Sequence, residues 1–188
     1  NQLDNAIANV TLSTGPGVFP GVGFVSPGGT YSQRQNLEAI RSKGVEIDAA
    51  FDLAALVQGL TLRTGYSYVD AKVDGTGDAA PIDGLRPAQV PRHNVSASIG
   101  WDSGKGTGAS LSGRYIGRQF EDDVNQLSLA DAFTLDGRMS LAVNDRLLVE
   151  TRVENIFDAR VEAAVSSNGI IERTFPRTVW IGLRARFE

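Results

Sequence analysis

Apolar and polar side chains alternate with a period of two along most of the chain, in runs broken by turn-forming or glycine-rich stretches. In the last run Phe175, Arg177, Val179, Ile181, Leu183, Ala185 and Phe187 leave one face, and Thr174, Thr178, Trp180, Gly182, Arg184 and Arg186 leave the other. Successive side chains of a strand point to opposite sides of the pleat, so this pattern predicts strands rather than helices. The same reading gives strands over 3–12, 34–51, 59–71, 91–101, 107–117, 132–143, 147–154 and 179–187. The connections 13–33, 72–90, 118–131 and 156–172 are long, and 52–58, 102–106 and 144–145 are short. Long and short therefore alternate strictly.

That sorting predicts an all-β fold, an antiparallel transmembrane β-barrel segment of about eight strands, with short turns on the periplasmic side and long loops outside. Phe51, Trp101 and Phe187 then share the lower interface, and Tyr66, Tyr68, Tyr115 and Phe133 lie towards the upper one. Aromatic rings favour the boundary between hydrocarbon and headgroups. Asp136, Arg138, Glu150, Arg152, Glu154, Arg184 and Arg186 all fall on the opposite face, assigned to the lumen. An arginine facing lipid at mid-depth costs about 2–4 kcal/mol, which rules out the reverse orientation. Alternation alone also fits a soluble lipocalin-like barrel with its faces exchanged; loop sorting and ring placement favour the membrane. For the hairpin at Asn144, an unbulged five-residue loop places Leu141 and Val149 on one face, Arg138 opposite Glu154 and Leu135 opposite Phe157.

Composition adds exclusions. The 188 residues carry a net charge of −4 and a pI near 5.1, which gives no nucleic-acid surface. Without cysteine there is neither a disulfide framework nor a thiolate metal site. Asn1-Gln2-Leu3-Asp4 has no signal-peptide pattern, and 5–33, although uncharged, holds Pro16, Pro20 and Pro27 and is no spanning helix. The only lysines are Lys43, Lys72 and Lys105; the arginine excess suits paired carboxylates in a charged interior, or reflects genome composition.

Candidate chemistry is sparse. His93 is the only histidine, so a structural zinc site or a Ser-His-Asp hydrolase has little to build on, and the residue is expected near the rim of its strand. Asp70, Asp74, Asp78 and Asp83 invite a calcium reading, but Pro81 stands where an EF-hand needs its bidentate glutamate. Gly75-Thr76-Gly77-Asp78-Ala79-Ala80 mimics a dinucleotide fingerprint without a following helix. Glu121, Asp122 and Asp123 form an outer-loop carboxylate cluster, either a contact for a cationic or metal-chelate ligand or a solvated loop tip. No catalytic, cofactor or metal residues are assigned.

Asn155-Ile156-Phe157-Asp158, then Pro176-Arg177-Thr178 and a strand closing on Phe187, resembles the C-terminal end of TonB-dependent receptors. Further similar pieces are Gly44-Val45-Glu46, Gly65-Tyr66-Ser67-Tyr68, Pro91-Arg92-His93, and Arg114-Tyr115-Ile116-Gly117 before Glu121-Asp122-Asp123. The ending Phe187-Glu188 departs from the aromatic terminus usual in that family. The resemblance implies that residues 1–188 are the C-terminal part of an outer-membrane barrel of about 22 strands, with the plug and the TonB-engaging segment lying elsewhere. It implies energy-coupled uptake of a ferric siderophore, cobalamin or a similar bulky nutrient, in a Gram-negative outer membrane. Expected partners are the lipid bilayer, a small nutrient ligand, and TonB–ExbB–ExbD through the N-terminal parts; nucleic acid is not among them. Asn155 and Phe157 are read as scaffold positions tying the last loop to the wall. A stand-alone eight-stranded outer-membrane barrel of structural or adhesive role, and a soluble β-barrel binder, are the alternatives.

Overall fold

A computed structural model describes residues 2–4 and 7–187; Asn1, Asn5, Ala6 and Glu188, and with them part of the expected 3–12 strand and the last residue of the Phe187-Glu188 ending, lie outside the described residues. Eight strands form one antiparallel sheet in chain order: β1 (Gln2–Asp4), β2 (Ala39–Asp52), β3 (Leu60–Asp74), β4 (His93–Asp102), β5 (Gly108–Ile116), β6 (Ala132–Asn144), β7 (Leu147–Glu154) and β8 (Thr178–Ala185). Each pairs with its sequence neighbour, and β1 and β8 form the two edges of an open sheet. Among the described residues the strands do not close on themselves, so the small eight-stranded barrel is not the architecture observed.

Register carries the apolar rows across every ladder. Ile47 faces Tyr66, Tyr66 faces Val95, Val95 faces Tyr115 and Tyr115 faces Phe133. Lower down, Leu60 faces Trp101, Ala109 faces Met139, and Met139 and Ile181 both face Thr151. The band ends abruptly on β2 and β3: above Val45 and Tyr68, the next pairs on that face are Lys43 with Asp70 and Arg41 with Lys72. The stretch between Leu60 and Tyr68 matches the roughly 9–11 residues that a tilted strand needs to cross hydrocarbon. Ile181 and Leu183 remain 76% and 73% exposed, so the wall itself seals nothing.

All three short turns are closed by the same chemistry. Asp52, Asp102 and Asn144 each end a strand, and each side-chain oxygen accepts a backbone N–H two residues on, at 2.9, 2.7 and 2.9 Å. This is the local bond that makes Asp and Asn turn formers. Gly59 has φ +82°, and a Cβ there would lie 1.9 Å from the carbonyl oxygen of Asp102, so the first turn admits only glycine.

The Asn144 hairpin departs from the expected register. Leu141 does face Val149, but Arg138 lies opposite Arg152, not Glu154. A bulge between Ala142 and Asn144 supplies the odd residue, and Asn144 Oδ1 accepts from both Arg146 and Leu147 at 2.9 Å, leaving a two-residue loop. The 3–12 strand also divides. Gln2–Asp4 belongs to the wall, while Ile7–Thr14 pairs with Thr30–Asn36 in a hairpin above it.

The buried core sits in the long loops and the upper ends of β2 and β3 beneath them. Val10, Leu37, Val73, Ala79 and Ile82 pack together, with Ile40, Leu85 and Val124 against them. Val10 and Leu37 come from the first loop, Ala79 and Ile82 from a 3-10 turn (Gly77–Ile82) of the second, and Val124 from the third. The long loops therefore form a folded cap over one rim. Regions 13–33 and 72–90, expected as plain loops, carry the small hairpin Gly17–Phe19 with Gly23–Val25 and the 3-10 turn respectively.

Candidate functional site

Two surfaces have chemistry: the cap and the ionic face of the wall. In the cap, Asn125 at φ +58° clasps Arg86 from both sides. Its Oδ1 accepts the Arg86 backbone N–H at 2.9 Å and its Nδ2 donates to the Arg86 carbonyl at 2.8 Å. The Arg86 guanidinium donates to the Val90 carbonyl at 2.8 Å and lies 5.4 Å from the centre of the Phe120 ring. Burial, followed by the neighbouring charge of Arg92, lowers its pKa. Gln89 N–H donates to the Phe120 carbonyl at 2.7 Å, completing the join between second and third loops. The third and fourth are joined by Ala130 N–H donating to Glu162 at 2.7 Å, and the fourth reaches the first through Ser167 Oγ donating to the Gly28 carbonyl at 2.9 Å.

The three carboxylates fall at this junction, in unequal states. Asp122 is committed to the loop, its two oxygens accepting from Leu127 and Gln126 N–H at 2.7 and 3.1 Å. Glu121 accepts one bond from the Gln89 amide at 3.1 Å. Asp123 is half-buried, and that burial, then the charge of Asp122, pushes its pKa above the usual carboxylate range. The aspartates of the second loop are dispersed: Asp70 bonds Arg92 at 3.1 Å, Asp74 pairs with Arg41, and Asp83 accepts from Gly75 N–H at 3.1 Å. The Asp78 side chain lies outside the described residues. His93 stands at the strand start, as expected, with Nδ1 3.1 Å from the Tyr66 hydroxyl and its ring beside Tyr68. Arg86, Gln89 and Asn125 carried no sequence signal for these roles; the tolerance of asparagine for a left-handed backbone, used at Asn125, was the one available hint.

On the ionic face, Arg138 meets Glu150 at 2.8 Å and Arg184 reaches the other oxygen of Glu150 at 3.5 Å. Arg152 turns to Glu154 on its own strand at 2.6 Å, so the two opposed arginines each find a carboxylate. Trp180 Nε1 donates to Glu154 at 3.3 Å. At the upper end, the buried Asn155 fastens the fourth loop to the wall. Its backbone N–H donates to Asp136 at 2.8 Å, its Oδ1 accepts from Ala159 at 2.8 Å, and its Nδ2 donates to the Ala159 carbonyl at 2.9 Å. Asp158 then accepts from Arg177 N–H at 2.9 Å, and Phe157 sets its ring 6.4 Å from that of Phe133. The resemblance-based scaffold role of Asn155 and Phe157 has this geometry.

A family model described as TonB dependent receptor-like, beta-barrel, matches residues 1–156. The chain belongs to this family. A relative of the receptor barrel, the ferrioxamine receptor of Yersinia enterocolitica, is 28% identical over 134 residues, which cover 68% of this chain and 18% of that receptor. Among solved structures, the ferric yersiniabactin uptake receptor from Yersinia pestis superposes with a TM-score of 0.71 at 24% identity, covering 83% of this chain and 25% of that one. The pyoverdine outer membrane receptor from Pseudomonas aeruginosa gives 0.63 at 15% identity, covering 99% of this chain and 26% of that receptor. The chain thus spans about a quarter or less of the relatives it matches. TonB-dependent receptors are outer-membrane β-barrel transporters of Gram-negative bacteria, not enzymes.

Proposed function

We propose that this chain is the C-terminal part of the barrel of an outer-membrane receptor that takes up a ferric siderophore with energy delivered through TonB. The observation that carries the reading is the division of the sheet into a largely apolar face, edged on β2 and β3 by rings and then charges, and a polar face that carries the ion pairs. An exposed apolar surface of this extent has no place in water, whereas in lipid the same residues are at home and the ions meet an aqueous interior. The long-loop rim, with its interlocked cap, then faces outward and meets ligand first. Glu121 and Asp123 are its candidate contacts for a metal chelate, while Asp122 holds the loop that presents them. Relatives named for ferric ligands favour a ferric siderophore over cobalamin.

The test is uptake by the full-length receptor in a strain stripped of its own siderophore receptors. Growth on at least one ferric hydroxamate, catecholate or citrate complex, abolished by deleting TonB, is expected. Growth no better than the empty strain on every complex, or uptake that persists without TonB, would refute it.

A further inference from the structure

On the apolar face, the rows of β2 and β3 continue upward past the hydrocarbon band. Lys43 and Asp70 stand one row above Val45 and Tyr68, and Arg41 and Lys72 stand one row above those. With about 3.3 Å of rise per residue, Lys43 lies about 7 Å beyond Val45, where hydrocarbon gives way to headgroups. Asp70 is held by Arg92 at 3.1 Å and Asp74 is paired with Arg41. These are the acids of β2 and β3 on this face above the band. Among the described residues, the exposed Lys43 and Lys72 have no ion pair. Arg41 and Arg92 keep 65% and 45% of their side chains exposed despite their partners. Asp4 of β1 stands opposite Ala39, a row farther up. The patch is local: where β5 meets β6 at this height, the Tyr115 hydroxyl donates to Asp131 at 3.2 Å, an acid in place of the bases.

We infer that Lys43 and Lys72, flanked by Arg41 and Arg92, bind the phosphate-bearing headgroup of one outer-leaflet lipid, whose chains lie along the apolar band below. The two lysines are diagonal neighbours on one face, with backbones roughly 7–8 Å apart. Their long stems let both ammonium groups converge on one anionic group while resting on apolar surface. The two guanidinium groups, each with five N–H donors, have donors to spare beside their aspartates. A lipid is favoured over a polypeptide because the cations and the apolar band are continuous on one face. A second copy of this chain is disfavoured, since the same patch turned on itself brings like charges together. Each basic side chain held against an anionic leaflet tightens the attraction about fivefold, so the patch selects charged lipid over neutral. The inference rests on reading the long-loop rim as the outward one.

The experiment titrates the full-length receptor, held in phosphatidylcholine nanodiscs, with bisphosphorylated lipid A and reads bound lipid by native mass spectrometry. Lipid A should be retained, and its affinity should fall roughly tenfold to thirtyfold in Lys43→Gln/Lys72→Gln. Lys43→Arg/Lys72→Arg should restore it, and Lys105→Gln at the other rim should leave it unchanged. Lipid A stripped of its phosphates should bind the unaltered receptor no better than the double glutamine variant binds the intact lipid. Heat-shifted gel mobility reports whether each variant barrel folds, and Lys72→Gln alone is the second variant. Equal retention by the unaltered receptor and a folded glutamine variant, or equal binding of the stripped lipid, would overturn the proposal. Displacement by inorganic phosphate would also overturn it, by making the patch a site for free anions. Ser167→Cys, at the fourth loop, keeps the readings apart through its labelling by an impermeant maleimide on intact cells. Labelling with charge-indifferent lipid binding sinks the lipid site alone, and charge-dependent binding without labelling sinks the outward reading and with it the outer-leaflet assignment.

Discussion

Wall and cap solve the problem of apolar side chains in opposite ways. In the wall, Val179, Ile181 and Leu183 are 59–76% exposed, whereas in the cap Val10 and Ile82 are fully sealed. The wall's backbone groups are satisfied strand to strand, and its apolar rows await an apolar solvent. The cap has a water-soluble core in miniature, assembled from three loops over the upper ends of β2 and β3. The two regions should therefore respond to different insults: the cap to loss of packing volume, the wall to charge placed on its apolar face.

The largest effect is expected in the cap. Ile82→Ala should cost about 2–5 kcal/mol of cap stability, read as faster hydrogen exchange at the Val73 and Leu85 amides, which bond across this loop at 2.9 and 3.1 Å. The Leu111 amide of β5 should keep its protection. The converse change, Leu111→Arg in the middle of the apolar band, should cost the wall about 2–4 kcal/mol in bilayer unfolding and leave cap exchange unchanged. Were either substitution to loosen both regions equally, the division into two bodies would fail.

Asn125→Ala should remove the clasp on Arg86 at a cost of about 1–3 kcal/mol, exposing the Arg86 amide to exchange. Asn125→Gly, which accommodates φ +58° without the side chain, should show the same loss and so separate clasp from backbone strain. The smallest effect concerns pH. Asp123 has its pKa raised in the folded cap by burial and by Asp122, so the fold binds its proton more tightly than the unfolded loop does. Cap stability should therefore fall as pH rises from the ordinary carboxylate range through the raised value, then level off. Asp123→Asn should flatten that dependence in exchange measured from pH 4 to pH 7.

The wall was legible because period-two alternation and loop length are written locally. The rows through Val45, Tyr66, Val95, Tyr115 and Phe133 follow from them, and so does the placing of Arg184 with Glu150 on one face. The register at Arg138 was not, since nothing in Leu141-Ala142-Val143-Asn144 marks a bulge. The cap was illegible for a different reason: Leu37, Ala79, Ile82 and Val124 lie singly in polar, glycine-rich segments and become a core only when three loops meet. Partner identity was hidden likewise, for the mixed alternation of 3–12 does not say which strand Ile7–Thr14 pairs with. Of the carboxylate cluster, sequence located the loop but could not show that Asp122 is consumed by it.

The central claim is sidedness, and the absence of cysteine from these 188 residues makes it directly measurable. Spin labels would be placed singly at positions 147 to 154 of the full-length receptor in bilayers. Collision with oxygen should dominate at 147, 149, 151 and 153, and collision with a water-soluble nickel chelate at 148, 150, 152 and 154. The opposite phase, or no alternation at all, would contradict it.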